Sequence, residues 1–310
     1  MQHPDLKKLC TAPSLLDKEA LTERIDALTD SFSFLHHGIL GQSLLGQSIP
    51  LLTIGNGRHK CLYVATHHAM EWITSILLIR FVYDLCQSVR DHAKIGNLSP
   101  ERLLETHTLY IVPMLNPDGV AYQMHGVEQN NPIRDRVLQM NGGSEDFSHW
   151  QANGRGVDLN HNYDAGFWEY KRMERENGTD CASPTKYSGE APESEPETAA
   201  LCNFIRMTRP LDGILSLHTQ GEEIFYEGGL TPTARTKRIA RCLSRVAGYK
   251  LSRTTGSASY GGLTDWCVQK EGIASFTLEC GRGINPLPHT DASAIYCRLR
   301  EALFLFPTML

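Results

Sequence analysis

Four short apolar runs, Cys61 to Thr66, His107 to Pro113, Gly213 to His218 and Ile273 to Glu279, recur along the chain with longer segments between them. Their length and their bounding residues mark them as buried strands. Among the intervening segments, Met70 to Val89 is apolar on too many positions to be an exposed helix. Pro196 to Met207, Thr233 to Val246 and the final Ala292 to Phe306 also read as helices. Strands alternating with helices require a mostly parallel or mixed sheet covered on both faces. An α/β fold is therefore expected, and 310 residues that are 41% hydrophobic can bury its core as one domain.

The flanking regions fit that plan. Residues 16 to 28 set Leu21, Ile25 and Leu28 at helical spacing among charges, so residues 1 to 35 are expected to form a helical segment packed on the domain. From Ile39 to Gly55, apolar pairs broken by Gly and Ser predict two short strands joined by a turn. The stretches Gly119 to Asn160 and Gly166 to Pro196 are polar and read as long loops, which in a compact domain carry function or flexibility.

Composition excludes several classes of partner. A net charge of −5 leaves no basic stripe for nucleic acid or anionic lipid. There is no run of about 18 apolar residues to span a bilayer, and Met1 to Lys8 has no export signature. The nine cysteines are odd in number, lack a C-x-x-C pair and mostly sit singly in apolar surroundings, as buried free thiols do. A cytoplasmic location is the expectation, and the oligomeric state is left open.

The strands end in residues suited to catalysis. His67 and His68 follow the first, Asn116-Pro117-Asp118-Gly119 the second, and His218 and Glu279 close the third and fourth. Open α/β sheets hold their ligands at these carboxyl ends. In His68-Ala69-Met70-Glu71 an imidazole and a carboxylate stand three apart, so one turn of backbone aims both at a single ion. Alone, H-x-x-E is a weak signal; with a distant histidine at a strand end it gives the His₂Glu set of catalytic zinc, whose fourth position stays open. His67 competes with His68 for the first ligand position. Asp158 either orients a ligand histidine or makes an ordinary loop hydrogen bond. Asn-Pro-Asp-Gly suits a type I turn, Glu190 to Glu197 reads as a solvated loop, and Asp265-Trp266 as a helix start.

Five ordered motifs carry a more specific signal: His68-Ala69-Met70-Glu71-Trp72, Asn116-Pro117-Asp118-Gly119, Gly156-Val157-Asp158-Leu159-Asn160, Ser216-Leu217-His218 and Phe276-Thr277-Leu278-Glu279. In these the chain resembles the zinc carboxypeptidase family over nearly its whole length. The resemblance implies a central mixed sheet of eight strands between helices. It also implies one zinc ion held by His68, Glu71 and His218, with Glu279 as general base and then acid. Chemistry agrees, because a carboxylate beside zinc-activated water can take a proton and pass it to the departing amine. Glu279 also closes an apolar strand, where a charge is costly without a task or a partner such as Arg282.

Departures from the family pattern concern substrate recognition. The family follows the Asn equivalent to Asn160 with an Arg, and the two clamp a terminal carboxylate; here the second residue is His161, which lacks the bidentate fork. Gln151 falls near the family's carbonyl-polarising Arg, with Arg155 the nearest cation. Ser257 falls at the family's mobile Tyr, with Tyr260 three residues on. Asn160, His161, Arg155, Gln151, Tyr260 and Thr264 are thus the candidate substrate-binding residues. The phrases Trp150-Gln151-Ala152-Asn153, Asn160-His161-Asn162-Tyr163, Tyr187-Ser188-Gly189, Glu279-Cys280-Gly281-Arg282-Gly283 and Asn285-Pro286-Leu287-Pro288 resemble a bacterial subgroup of γ-D-glutamyl-meso-diaminopimelate peptidases. The implied partner is a peptide, the muropeptide stem of peptidoglycan. The alternatives are a conventional carboxypeptidase, an amidohydrolase of acylated or glutamylated amino acids and an inactive domain that binds cell-wall fragments.

Overall fold

The computed structural model describes residues 5–310. Eight strands form one mixed sheet: β1 (Leu35–Gln42), β2 (Ser48–Ile54), β3 (His59–Ala65), β4 (His107–Val112), β5 (Gly213–His218), β6 (Glu223–Phe225), β7 (Lys250–Leu251) and β8 (Ala274–Glu279). Their order across the sheet is β1-β2-β4-β3-β5-β8-β6-β7. The central strands β4, β3, β5 and β8 run parallel, and the antiparallel pairs β1/β2, β2/β4 and β6/β8 flank them.

Side-chain alternation along the strands divides the core between two faces. Cys61, Tyr63 and Ala65 of β3 point to the larger core, where helices Lys18–Ser31, Ile73–Arg90, Ala234–Ala247 and Ala292–Met309 pack. Tyr63 is fully buried there, and its hydroxyl donates to the Leu303 carbonyl at 2.8 Å. Leu62 and Val64 point the other way, towards helix Pro196–Met207 and the short helix Leu263–Trp266. No helix among the described residues is long and apolar enough to cross a membrane.

Topology creates the crevice. From β3 the chain passes through helix Ile73–Arg90 to β4 on one side of β3, and later returns to β5 on the other side. Strand order reverses at β3, so the carboxyl ends of β3, β5 and β8 border one opening, where ligands bind in such sheets.

The two polar stretches differ from the expected loops, since helices Pro117–His125, Arg134–Met140 and Phe167–Asn177 lie within them. The Asn116-Pro117-Asp118-Gly119 segment is a helix start and not a plain turn. The Asn116 side chain accepts from Gly119 N at 3.0 Å as an N-cap, and Pro117 occupies the first turn, where a missing N–H costs nothing. Gly119 is required by contact: a Cβ there would come within 2.2 Å of the Ala152 carbonyl oxygen. The close approach fixes the loop that carries Gln151.

Candidate active site

Strand β3 ends in a sharp change of direction. Thr66 takes a left-handed conformation (φ 56°), and its N–H and hydroxyl bond to Thr74 and Ser75 at the start of the next helix. The chain thereby leaves the sheet at His67, and a single 3-10 turn, Ala69–Glu71, brings Glu71 back beneath His68. His68 Nδ1 lies 3.0 Å from Glu71 Oε1. From the end of β5, His218 Nδ1 comes within 3.1 Å of Glu71 Oε2 and 3.3 Å of His68 Nδ1. His67 turns elsewhere: Nε2 bonds the Tyr163 hydroxyl at 2.9 Å, and the ring stacks on His218 with centroids 5.2 Å apart.

The three side chains fit a metal ion. Tetrahedral zinc with ligands at about 2.0–2.1 Å spaces their donor atoms by about 3.3 Å, close to the separations of 3.0–3.3 Å found here. Two imidazoles and one carboxylate form a zinc donor set that leaves a fourth position open. The electrostatics also call for a cation, because Glu71 and Asp158 are buried carboxylates a few ångströms from two histidines. Burial pushes the Glu71 carboxyl up, but His68 and His218 outweigh this and hold it down at about 2. Burial opposes the charged form of His68, and Glu71 and Asp158 nevertheless raise its pKa well above the usual imidazole range.

Around these three, further residues fix their orientation. Asp158 Oδ1 lies 3.2 Å from His68 Nε2, the arrangement by which carboxylates orient metal-ligating histidines. Asp158 itself accepts from Gln151 Nε2 at 2.7 Å and Asn160 N at 3.1 Å. Asn285 ties Thr219, next to His218, to Glu71: its side chain accepts from the Thr219 hydroxyl, donates to the Thr219 carbonyl and reaches Glu71 Oε1 at 3.4 Å.

Glu279 enters through sheet register. The parallel pairing of β5 and β8 sets it opposite His218, and Cys280 N donates to the His218 carbonyl at 2.7 Å. Its carboxyl has no cationic partner among the described residues, since Arg282 pairs with Glu222 at 2.7 Å. Burial and the neighbouring Glu71 charge push it up to about 8. Glu279 and His68 line a cleft of about 420 Å³.

Four of the six candidate substrate residues line that cleft: Gln151, Asn160, His161 and Thr264. Asn160 Oδ1 accepts from Leu263 N at 3.1 Å. His161 stacks on Tyr170 with centroids 4.0 Å apart. Its Nδ1 donates to the Tyr260 carbonyl at 2.7 Å, leaving Nε2 as its uncommitted nitrogen. The Thr264 hydroxyl is bound to Ser275 and Thr277. Two candidates are displaced. Arg155 lies outside the cleft lining because it pairs, at 3.2 Å, with Glu195, a buried carboxylate in need of a cation. Tyr260 packs its ring beside Gly166, where a Cβ would approach within 2.5 Å, and contributes its backbone to His161.

The acidic run before helix Pro196–Met207 is likewise not the solvated loop expected. Glu195 and Glu197 are buried and accept from Asn153 Nδ2 at 2.7 and 3.2 Å. Sequence reasoning also passed over Arg253 and Glu227, which both line the cleft; no motif marks them.

Comparison with known proteins decides the family. Residues 21–296 match the family model for zinc carboxypeptidases. The chain belongs to the zinc carboxypeptidase family. This zinc metallopeptidase is 34% identical to γ-D-glutamyl-L-diamino acid endopeptidase 1 of Lysinibacillus sphaericus, over 94% of the chain and 71% of that protein. An uncharacterised Bacillus subtilis protein, YqgT, is 32% identical over 91% of the chain and 74% of its own length. Human carboxypeptidase B is 26% identical over 84% of the chain, which spans 61% of it.

Solved structures share the fold. Carboxypeptidase A from Helicoverpa armigera superimposes with a TM-score of 0.72 at 19% identity, covering 96% of this chain and 74% of that one. Murein-tripeptide amidase MpaA from Escherichia coli gives 0.53 at 22% identity, covering 86% and 91%. The expected eight-stranded mixed sheet of this zinc carboxypeptidase relative is thus the observed one.

Proposed function

We propose that this metallopeptidase hydrolyses the amide between the γ-carboxyl of D-Glu and a diamino acid, meso-diaminopimelate, in peptidoglycan stem peptides. The observation that carries the reading is His161. The position that would hold an Arg fork carries an imidazole with Nδ1 committed to the Tyr260 carbonyl, so only Nε2 remains to bind a substrate. A single nitrogen grips the α-carboxylate beside the scissile amide less firmly than an Arg fork, and suits a substrate that brings further charged groups, the α-carboxylate of D-Glu and the distal end of the diamino acid. The name of the Lysinibacillus relative supports the same choice.

His68, Glu71 and His218 would hold a zinc ion, which when bound would polarise the carbonyl and lower the pKa of water towards about 7. Glu279 takes a proton from the attacking water and hands it to the leaving amine. Burial and the neighbouring Glu71 charge raise its proton affinity, which suits a carboxyl that must hold the proton between the two transfers. Asp158 holds the His68 ring in place while Gln151 and Asn160 anchor Asp158.

Mass spectrometry of zinc-loaded protein incubated with L-Ala-γ-D-Glu-meso-diaminopimelate, and separately with a standard peptide, tests this. Release of L-Ala-D-Glu from the first alone is expected. Trimming of only the standard peptide would return the protein to the conventional carboxypeptidases. All nine cysteines are unpaired and six are buried, which supports a reducing compartment and action on imported wall fragments in the cytoplasm. Recovery of native protein outside the cell membrane in fractionation would refute that location.

A further inference from the structure

Besides the metal-binding trio and Glu279, the cleft lining carries a charge arrangement that hydrolysis does not require. Arg253, just after β7, and Glu227, just after β6, stand on a wall shared by the metal cleft and a second hollow of about 560 Å³. Arg253 Nε donates to Glu227 Oε1 at 3.1 Å. That contact uses one edge of the guanidinium; its two Nη groups have no hydrogen-bond partner among the described residues. The second hollow adds Lys237 and Arg241, neither ion-paired among the described residues, so cations outnumber Glu227 at this end.

We infer that Arg253 and Glu227 together bind the distal end of the released diamino acid, and that they select one bearing a carboxylate and an ammonium on the same carbon over lysine. This rests on the γ-glutamyl reading above. Asn160 N donates to Asp158, which holds His68, whereas β7, which precedes Arg253, lies two strands beyond β8, so a released residue anchored at Asn160 extends its side chain towards Arg253. There, a carboxylate meets the open Nη edge while the adjoining ammonium meets Glu227. This is a matched pair of opposite charges, the kind of complementarity that sets specificity. Lysine would bring an ammonium with no carboxylate, leaving Arg253 unanswered beside Lys237 and Arg241. Such a mismatch discriminates by repulsion as well as by a lost contact. Because the Arg253 side chain is 80% exposed, solvent screening limits the preference to about tenfold.

The test compares kcat/KM of the zinc-loaded protein on three stems: L-Ala-γ-D-Glu-meso-diaminopimelate, the same stem with the distal carboxylate amidated, and the lysine stem. The first should exceed the other two by about tenfold, and Arg253→Gln should bring the three within about threefold of one another. Arg253→Lys should restore part of the preference, because it returns the charge without the fork. Equal kcat/KM on all three stems by the parent, or an undiminished preference in Arg253→Gln, overturns this inference alone. Cleavage of none of them overturns the γ-glutamyl reading and this inference with it.

Discussion

Replacing Asp158 separates metal binding from folding. Its carboxylate serves three groups: Gln151 Nε2 at 2.7 Å, Asn160 N at 3.1 Å and His68 Nε2 at 3.2 Å. The first two hold a loop, and only the third bears on the metal. Outer carboxylates of this type are worth about 10–100-fold in metal affinity, or about 1.4–2.7 kcal/mol. Asp158→Asn keeps an acceptor for His68 and Asn160 but loses the charge and sets two amide NH₂ groups against each other at Gln151. It should bind zinc about tenfold more weakly, and Asp158→Ala nearer a hundredfold. Competition with a chelator of known affinity measures this, and urea unfolding of the metal-free proteins measures the folding cost separately. An Asp158→Ala variant that folds and binds zinc within about twofold of the parent would refute an orienting role.

Two further variants probe Glu197 and His161. Burial, with the Asp118 charge adding to it, raises Glu197 from its ordinary 4.5 to about 7. Between those values the folded protein holds a proton that the unfolded chain has released, so this group's contribution to stability falls as pH rises through the window. Relative to the parent, Glu197→Gln should lose a pH-dependent component of about 3 kcal/mol in urea unfolding between pH 4.5 and 8; parallel profiles for the two proteins would refute it. At the cleft, His161→Arg supplies a fork that can still stack on Tyr170, and should raise cleavage of a standard peptide, which has the terminal α-carboxylate as its main charged anchor, by about tenfold relative to the γ-glutamyl stem, which has others. A ratio of rates unchanged from the parent would mean that position 161 does not choose between them.

The sequence made the sheet and the metal-binding trio legible for one physical reason. A buried strand must be apolar along its length, so a His or Glu at its end stands out, and His218 and Glu279 did. His68 and Glu71 were readable because one turn of backbone brings residues three apart together. Where polar character was taken as exposure, the reading failed. Glu195 and Glu197 are acidic residues in a Pro-broken run, yet Asn153, Arg155 and the Leu44 N–H satisfy them in the interior. Helix Phe167–Asn177 looked like loop because it is mostly charged, with Phe167, Tyr170 and Glu174 buried. Arg155 and Tyr260 were near the metal cleft in sequence terms, but which neighbour claims a side chain is a long-range matter. Arg253 shows the converse, since it reaches the cleft from a strand edge that no local pattern announces.

Metal-dependent hydrolysis at this site turns on Glu279. The most direct test sets the parent beside Glu279→Gln, with zinc content and turnover of the γ-glutamyl stem measured on the same samples. Both should hold one zinc per chain, while turnover falls by about 10²–10⁴-fold in the variant. A variant that keeps its zinc and turns over at a rate near the parent's would contradict the assignment, and a parent that binds the stem without releasing product would make the protein a receptor for wall fragments.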